Sequence, residues 1–491
     1  MRRGTDGRLT YKTDGKGNRI MDFSHAGYRG GGVAIPSVPT KITLSPTAGN
    51  DGASYTDDSA RIQAAIDRLS TMTPDADGFR GALLLEAGVY RLTSPLRLEA
   101  SGIVLRGAGS NADGGTVLRL EGEPHLALDL NGVTGGRGSR TTADIAAEYV
   151  PSGSRRLPLT DASGIAPGAQ IVIYRPATEA WIKAMGMDGL VRDGVAQTWI
   201  RPGQMLKTTR TVEAVEGNVI VVDAPMTDYI DPVLNAGARV VASPSDYRLA
   251  DVGVEQLHIT GPHTPGSIDQ THFQKMKIRH LRDVWVRDVH FESVNGSIEI
   301  DAASQRITFD RITTTHEHTG VTTGAKPANI SNRGGQVLVM RSRFETPGYF
   351  PFVTQSGVAG PNVLLDVTTV DGDNIEGHQR WATGLLLDNV ATQEVLLGDR
   401  ANAGSGHGWS MGWSVTWNSS ATTGFIVQKP PTADNWCIGC TGPRLTKAGP
   451  NGASRESGTF EAYQQQVTPR SLYLAQLADR LGPDAVQAIG Y

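Results

Sequence analysis

The side chains best suited to acid–base chemistry crowd into residues 316–417. The segment DGDNIEGHQRW supplies Asp371, Asp373, Glu376, His378, Arg380 and Trp381 directly after the apolar run VLLDVTT. A second segment, GSGHGWSMGWSVTW, supplies His407, Trp409, Trp413 and Trp417. Imidazole titrates near neutrality, guanidinium pairs with carboxylate, and indole offers a flat apolar face to a sugar ring. Two reactions use such a set. In β-elimination at a uronic acid, the proton beside the carboxylate is removable only once that carboxylate is neutralised, and a base must then take the proton. Arg380 as neutraliser with His378 or His407 as base fits this scheme. Calcium is the one cofactor it leaves open in place of arginine. In glycoside hydrolysis two carboxyl groups are needed. Asp371 and Asp373, two apart on extended chain, have backbones about 6.7 Å apart, near the lower end of the roughly 6.5–9.5 Å span of inverting enzymes. Carboxylates just after a strand are also common turn formers. Because His, Arg and Trp dominate both segments, elimination is the favoured reading and hydrolysis the alternative. A glycan-binding protein without catalysis is a third reading. Against it, titratable groups clustered with Trp mark catalytic sites more than binding sites.

Trp381, Trp409, Trp413 and Glu376 are assigned to substrate binding, together with Arg279 from the basic stretch KMKIRHLRDVWVRDVH. That stretch also carries Lys275, Lys277, His280, Arg282 and Arg287. It is either a solvated strand face or a surface that holds acidic sugars through bidentate Arg contacts. In THEHTG, His316 and His318 share one face of an extended strand, so a metal with a third ligand from elsewhere is one reading and a plain turn is the other; no metal ligand is assigned. The two cysteines, Cys437 and Cys440, lie three apart in a strand-like stretch and so point to opposite faces. They are expected as buried free thiols.

These groups must be positioned by short strands. The runs VGVEQLHIT, VWVRDVHF, RITFDRITT, GQVLVMRSRF, NVLLDVTTV and TGLLLDNV are β-rich and separated by turn residues at solenoid-like spacing. Val284, Val286, Val289, Ile307, Phe309, Leu364 and Leu386 are expected to stack into one core. With 491 residues the chain is too long for a single compact core unless that core grows along one axis. Its 59 glycines exceed the usual ~7%, in keeping with many tight turns. A net charge of −4 gives no basic footprint for nucleic acid, and no apolar run approaches the ~20 residues of a membrane span.

Near the start, NDGASYTDDSARIQAAIDRLS places Ile62, Ala65, Ile66 and Leu69 on one helical face behind Asp57 and Asp58, which can cap it. Strands follow at Ala82 to Glu86, Val89 to Leu92 and Ile103 to Arg106. On these residues (Asp51, Gly52, Asp57, Asp58, Ile62, Gln63, Ala65, Ile66, then Gly88, Tyr90, Leu92, Pro95, Leu96, Gly102, Leu105, Gly107 and Gly109) the chain resembles the opening of the right-handed parallel β-helix proteins of the pectate-lyase-like superfamily, which includes polysaccharide lyases and family-28-like glycosidases. The resemblance implies an all-β solenoid closed by a capping helix, and it leaves the reaction open. Gly406-His407-Gly408 looks similar to the Gly-His-Gly of the family-28-like enzymes, without their Asp cluster. The Arg-x-Pro-x-x-Arg arrangement of pectate lyases is absent.

The chain thus divides into an N-terminal arm (1–40), capping helix and first coils (41–142), an inserted small β subdomain (143–245), the main β-helix (246–449) and an extension with an amphipathic helix (450–491). In the insert, Trp181 and Trp199 either stack on sugars or form its core. The expected partner is a polysaccharide or oligosaccharide, with no nucleic acid and no membrane, and the protein a monomer or small homo-oligomer. The start of the chain, MRRGTDGRLTYKTDGKGNRI, lacks the apolar core of a secretion signal. Polymer degradation nevertheless places the protein outside the cell or in the periplasm, with the cytoplasm as the alternative.

Overall fold

The amphipathic stretch forms the helix Ser59–Ser70, and Ile62, Ala65, Ile66 and Leu69 all turn inward. They close the end of a core that continues through every later coil; full burial of each large aliphatic side chain is worth roughly 1.5–3 kcal/mol. The two aspartates divide their work. Asp57 accepts from Ser59 N–H at 2.9 Å, whereas Asp58, at the cap position, turns its carboxylate back to Asn50 and Arg61. The computed structural model describes residues 2–4, 8–50, 52, 55–132, 139–244, 246–262, 269–316 and 326–491.

Behind the helix runs a right-handed parallel β-helix in which, among the described residues, 27 strands form one continuous hydrogen-bonded system. It has three faces. The first stacks Gly81–Leu85, Ile103–Arg106, Gln305–Asp310, Gly335–Met340, Ala359–Leu365, Ala382–Asp388, Ser414–Trp417 and Asn435–Ile438, among others. The second includes Gly88–Leu92, Thr116–Leu120, Thr313–Thr315 and Arg343–Glu345. The third includes Leu126–Asn131, Gln274–Arg279, Ile298–Ile300, Ala328–Asn332, Phe350–Thr354 and Ile375–Gly377. The corner between the first and second faces is turned by a single left-handed residue, coil after coil: Gln256, Asp288, Arg311, Arg341, Asp366, Asn389 and Asn418. Asn and Asp bear this conformation best.

The first face is apolar on both sides. Val337, Val339, Leu364, Leu385 and Leu387 point into the solenoid core, while Leu338, Met340, Val363, Leu365, Leu386 and Val415 point outward into a second cluster. Leu386 therefore does not join the inner stack as expected, because alternation places its two neighbours there instead. Parallel strands buried on both faces need a cover, and three segments provide it. The N-terminal arm donates Gly27 N–H to Gln336 O and Tyr28 N–H to Thr308 Oγ1, both at 2.8 Å. A Cβ on Gly27 would meet Leu338 at 3.1 Å. The helix Leu472–Leu481 lies against the arm, with Gln476 bonded to Phe23 N–H and Met21 O. Ser471 Oγ and Tyr473 N–H both donate to the buried Asp388 carboxylate, at 2.7 and 2.8 Å.

The third cover is the insert, a six-stranded antiparallel sheet that includes Thr141–Asp144, Gln170–Pro176, Met205–Glu216 and Arg239–Ser243 around its own core. Fully buried Arg210 ties it to the solenoid, donating to Ala224 O, Pro225 O and Gly360 O. Cys437 and Cys440 correct the sequence reading: they form a disulfide in the core. The strand ends at Ile438, and Gly439, at φ 71°, reverses the chain so that both sulfurs face inward. Among the described residues no helix is long and apolar enough to cross a membrane.

Candidate functional site

Successive third-face strands end at one corner of the solenoid. Arg333, Gln355 and His378 follow the ends of Ala328–Asn332, Phe350–Thr354 and Ile375–Gly377, which lie directly above one another. Ser331 and Gln355 set the histidine. Gln355 Nε2 donates to Ser331 Oγ at 2.9 Å, and its amide oxygen lies 3.1 Å from His378 Nδ1. A carbonyl oxygen only accepts, so Nδ1 carries the proton and the lone pair is left on Nε2. The loop after the strand Ala391–Leu397 brings His407 edge-on to His378, with ring centres 5.0 Å apart.

The loop glycines answer to packing. A side chain on Gly404 would meet His407 Nε2 at 2.2 Å, and one on Gly408 would meet Trp199 at 2.4 Å. Gly406-His407-Gly408 is thus a close passage against the insert.

Both imidazoles are held neutral. Burial, then the positive charges of Arg400, Arg380 and Arg333, push His378 down to about 4. Burial with Arg400, His378, Arg380 and Arg192 pushes His407 to about 3. Behind them lies Glu376, whose carboxyl burial raises to about 7, with Arg400 opposing that rise. Arg400 also donates to His378 O at 2.7 Å. Two imidazoles that are unprotonated at neutral pH, and weakened as bases by their depressed pKa values, thus stand among guanidinium groups, an arrangement that attracts anions.

Several assignments change once partners are visible. Arg380 is near both histidines, but its guanidinium is committed to Trp199 O, Ser405 and Gln379, so it braces the loop instead of facing a substrate carboxylate. Arg333, by contrast, is exposed, with no carboxylate or side-chain hydrogen-bond partner among the described residues. Trp381, Trp409 and Trp413 are buried, 2%, 1% and 3% exposed, and cannot lay a ring face on a sugar. They interlock solenoid and insert through Asp228 and Met185 O. Trp181 and Trp199 lie in the same cluster. Glu376, 1% exposed, also cannot touch substrate directly.

Asp373 pairs with Lys326 and accepts from Asn374 N–H, and Asp371 is an exposed left-handed turn residue. Among the described residues neither bonds to the histidine pair. Arg279 Nη2 donates to both carboxylate oxygens of Asp129 at 2.7 Å, and its neighbours Lys277, His280, Arg282 and Arg287 face Glu299, Asp301, Asp246 and Glu255. Lys275 is buried against Val294 O and Gly296 O. His316 stacks on Tyr349 at 4.5 Å, while Glu317 and His318 lie outside the described residues. Among the described residues no group of three or more His, Cys, Asp or Glu is placed to hold a metal ion.

Sequence reasoning missed Arg333, Gln355, Arg400 and Arg192. Arg333 and Gln355 sit in earlier coils, and only the coil length reveals that they share a corner with His378.

No protein-family model matches the chain, and no curated protein does. Similar solved structures include the Gp54 tailspike of Acinetobacter baumannii bacteriophage AP22 in complex with capsular saccharide, at 12% identity and TM-score 0.40 over 81% of this chain and 62% of that one. A mutant tailspike protein of E. coli bacteriophage HK620 in complex with pentasaccharide gives 9% identity and TM-score 0.44 over 84% and 58%. DFA-IIIase from Arthrobacter chlorophenolicus A6 in complex with DFA-III gives 10% and 0.35 over 83% and 69%. The chain spans less than two thirds of the length of either tailspike.

Proposed function

We propose that the protein cleaves an acidic polysaccharide by β-elimination at a uronate residue. The observation that carries this reading is the pair of neutral imidazoles, 5.0 Å apart and ringed by arginines. The unpaired Arg333 guanidinium neutralises the uronate carboxylate, which makes the adjacent C5 proton acidic. His378 Nε2 takes that proton. The C5–H electron pair becomes the C4–C5 double bond, and the C4–O bond breaks. His407 offers its one ring N–H to the departing oxygen, which is protonated from solvent. Arg400 and Arg380 position the two histidine loops and, second to burial itself, help keep both rings uncharged in the resting protein.

Hydrolysis finds less support, because Asp373 is engaged by Lys326 and Glu376 is shut behind Arg400. Kinship with the pectate-lyase-like superfamily belongs to the same reading and is supported by the opening motif and the parallel β-helix; an extracellular or periplasmic setting goes with a polymer met outside the cytoplasm. The test is incubation with a set of uronate polymers. Unsaturated product absorbing near 235 nm supports elimination; reducing ends without that absorbance would replace it with hydrolysis.

A further inference from the structure

Away from the histidines, the arm, the insert and the last coils of the first face enclose an open cavity of about 550 Å³. None of Arg333, Gln355, His378 or His407 lines it. Its aromatic walls come from separate parts of the chain. Tyr149 of the insert stacks on Tyr229 at 5.6 Å and 7°, and Trp436 of the last coils tilts against Trp413 at 6.1 Å. In each pair one ring is buried, Tyr229 or Trp413, and the other is only half-covered. Trp436 points outward from the first face as Val415 does one coil earlier, but the cover that hides Val415 leaves Trp436 partly open. An indole left partly uncovered beside a cavity marks a place where something apolar lands.

The polar lining is balanced in charge. Lys16 pairs with Asp231 at 3.2 Å, Lys429 with Glu456 at 2.9 Å, and Asp434 accepts from Thr459 Oγ1 and Asn435 N–H at 2.8 Å. Anions gain nothing there that they would not gain more strongly at the arginine ring. A neutral sugar ring matches instead: its C–H face lies on the Trp436 indole, beside a Tyr149 ring already covered by Tyr229 and by the Lys16 ammonium 4.9 Å from its centre, while its hydroxyls both donate and accept beside the carboxylates.

We infer that this cavity is a second carbohydrate site, separate from the histidine pair, and that it takes neutral sugar rings. It would hold a neutral stretch or branch of a polymer without cutting it. The inference stands whether or not His378 performs elimination.

The test is calorimetric titration of the full chain with neutral hexasaccharides of β-1,4-glucan, α-1,4-glucan, β-1,4-mannan and chitin type. At least one is expected to bind. Trp436→Ala should weaken that binding by about tenfold, and Trp436→Phe, which keeps a ring, should largely retain it. Tyr149→Ala, on a different element, should weaken it as well, so a folding defect in one variant leaves the other informative. Arg333→Ala should leave it unchanged. Failure of every sugar to bind, indifference to both aromatic truncations, or loss in Arg333→Ala would overturn the site. Production of 235-nm absorbance bears only on the histidine pair.

Discussion

Gln355 fixes the tautomer of His378: its amide oxygen lies 3.1 Å from Nδ1 and can only accept, so the basic lone pair is on Nε2. On its other side the glutamine Nε2 bonds Ser331 Oγ. His378→Ala should therefore reduce elimination by about 10²- to 10⁴-fold, the usual contribution of a general base, with little change in Tm because the ring is only half-buried. Gln355→Glu should raise the His378 pKa and move the acid limb of the kcat/KM profile to higher pH. An unchanged profile would remove Gln355 as the orienting residue.

Arg333 is expected to act on substrate alone. Arg333→Ala should raise KM and lower kcat/KM on uronate polymers with Tm unchanged, since no partner is left unpaired. Arg333→Lys should recover part of the activity. Equal activity in the alanine variant would remove the guanidinium from the reaction.

Arg380 should behave in the opposite way. It joins Trp199 O to Ser405, so its loss unties the loop from the insert and leaves the part-buried Trp199 carbonyl without its donor. Arg380→Ala should cost about 1–3 kcal/mol in denaturant unfolding. Any loss of activity should accompany loosening of the 398–409 loop, read by hydrogen exchange.

The pH dependence of stability follows from the two directions of shift. His378, depressed to about 4, stays neutral while an unfolded histidine, near 6.5, takes up a proton. Stability therefore falls as pH drops from about 6.5 toward 4. Glu376, raised to about 7, keeps its proton while the unfolded carboxyl has lost it, so its contribution falls as pH rises from 4.5 to about 7. Glu376→Gln should gain Tm relative to the parent chain as pH moves from about 5 to about 8. A constant difference would show that Glu376 does not titrate in that window.

Asp388 anchors the terminal helix by accepting from Ser471 Oγ and Tyr473 N–H, and burial raises its carboxyl to about 7. Asp388→Ala should cost about 1–2 kcal/mol, as removal of a helix cap does, and should make the 470–491 region the first point of proteolytic cleavage.

Much of this was legible in the sequence wherever a simple period governs. Ile62, Ala65, Ile66 and Leu69 declared the capping helix because one face of a 3.6-residue period was apolar. His378 and His407 were picked out by residue type, as alternative bases in two segments close in sequence, and the coils bring their rings to 5.0 Å. What stayed hidden depended on covers and partners. Trp381, Trp409 and Trp413 have the composition of a sugar platform, and nothing in their spacing says that the insert lies on top of them. The doubly apolar runs GQVLVM and TGLLLD carried that signal, since a strand open to water alternates. Arg279 and Arg380 could not be told from Arg333 by type, because their partners, Asp129 and Trp199, are remote in sequence. Cys437 and Cys440 misled because strand alternation was extended across Gly439, where the chain reverses.

An ordinary solenoid tolerates gain or loss of a coil, because each repeat answers only to its neighbours. Here the arm grips Thr308 and Gln336, the terminal helix grips Asp388, and arm and helix grip each other through Gln476. A coil duplicated between Gln336 and Asp388 would move one anchor by about 4.8 Å relative to the other, and the clasp would no longer close. The length of this part of the rod is therefore set by the strap that crosses it, and insertions should be tolerated in surface loops while whole-coil duplications there are not.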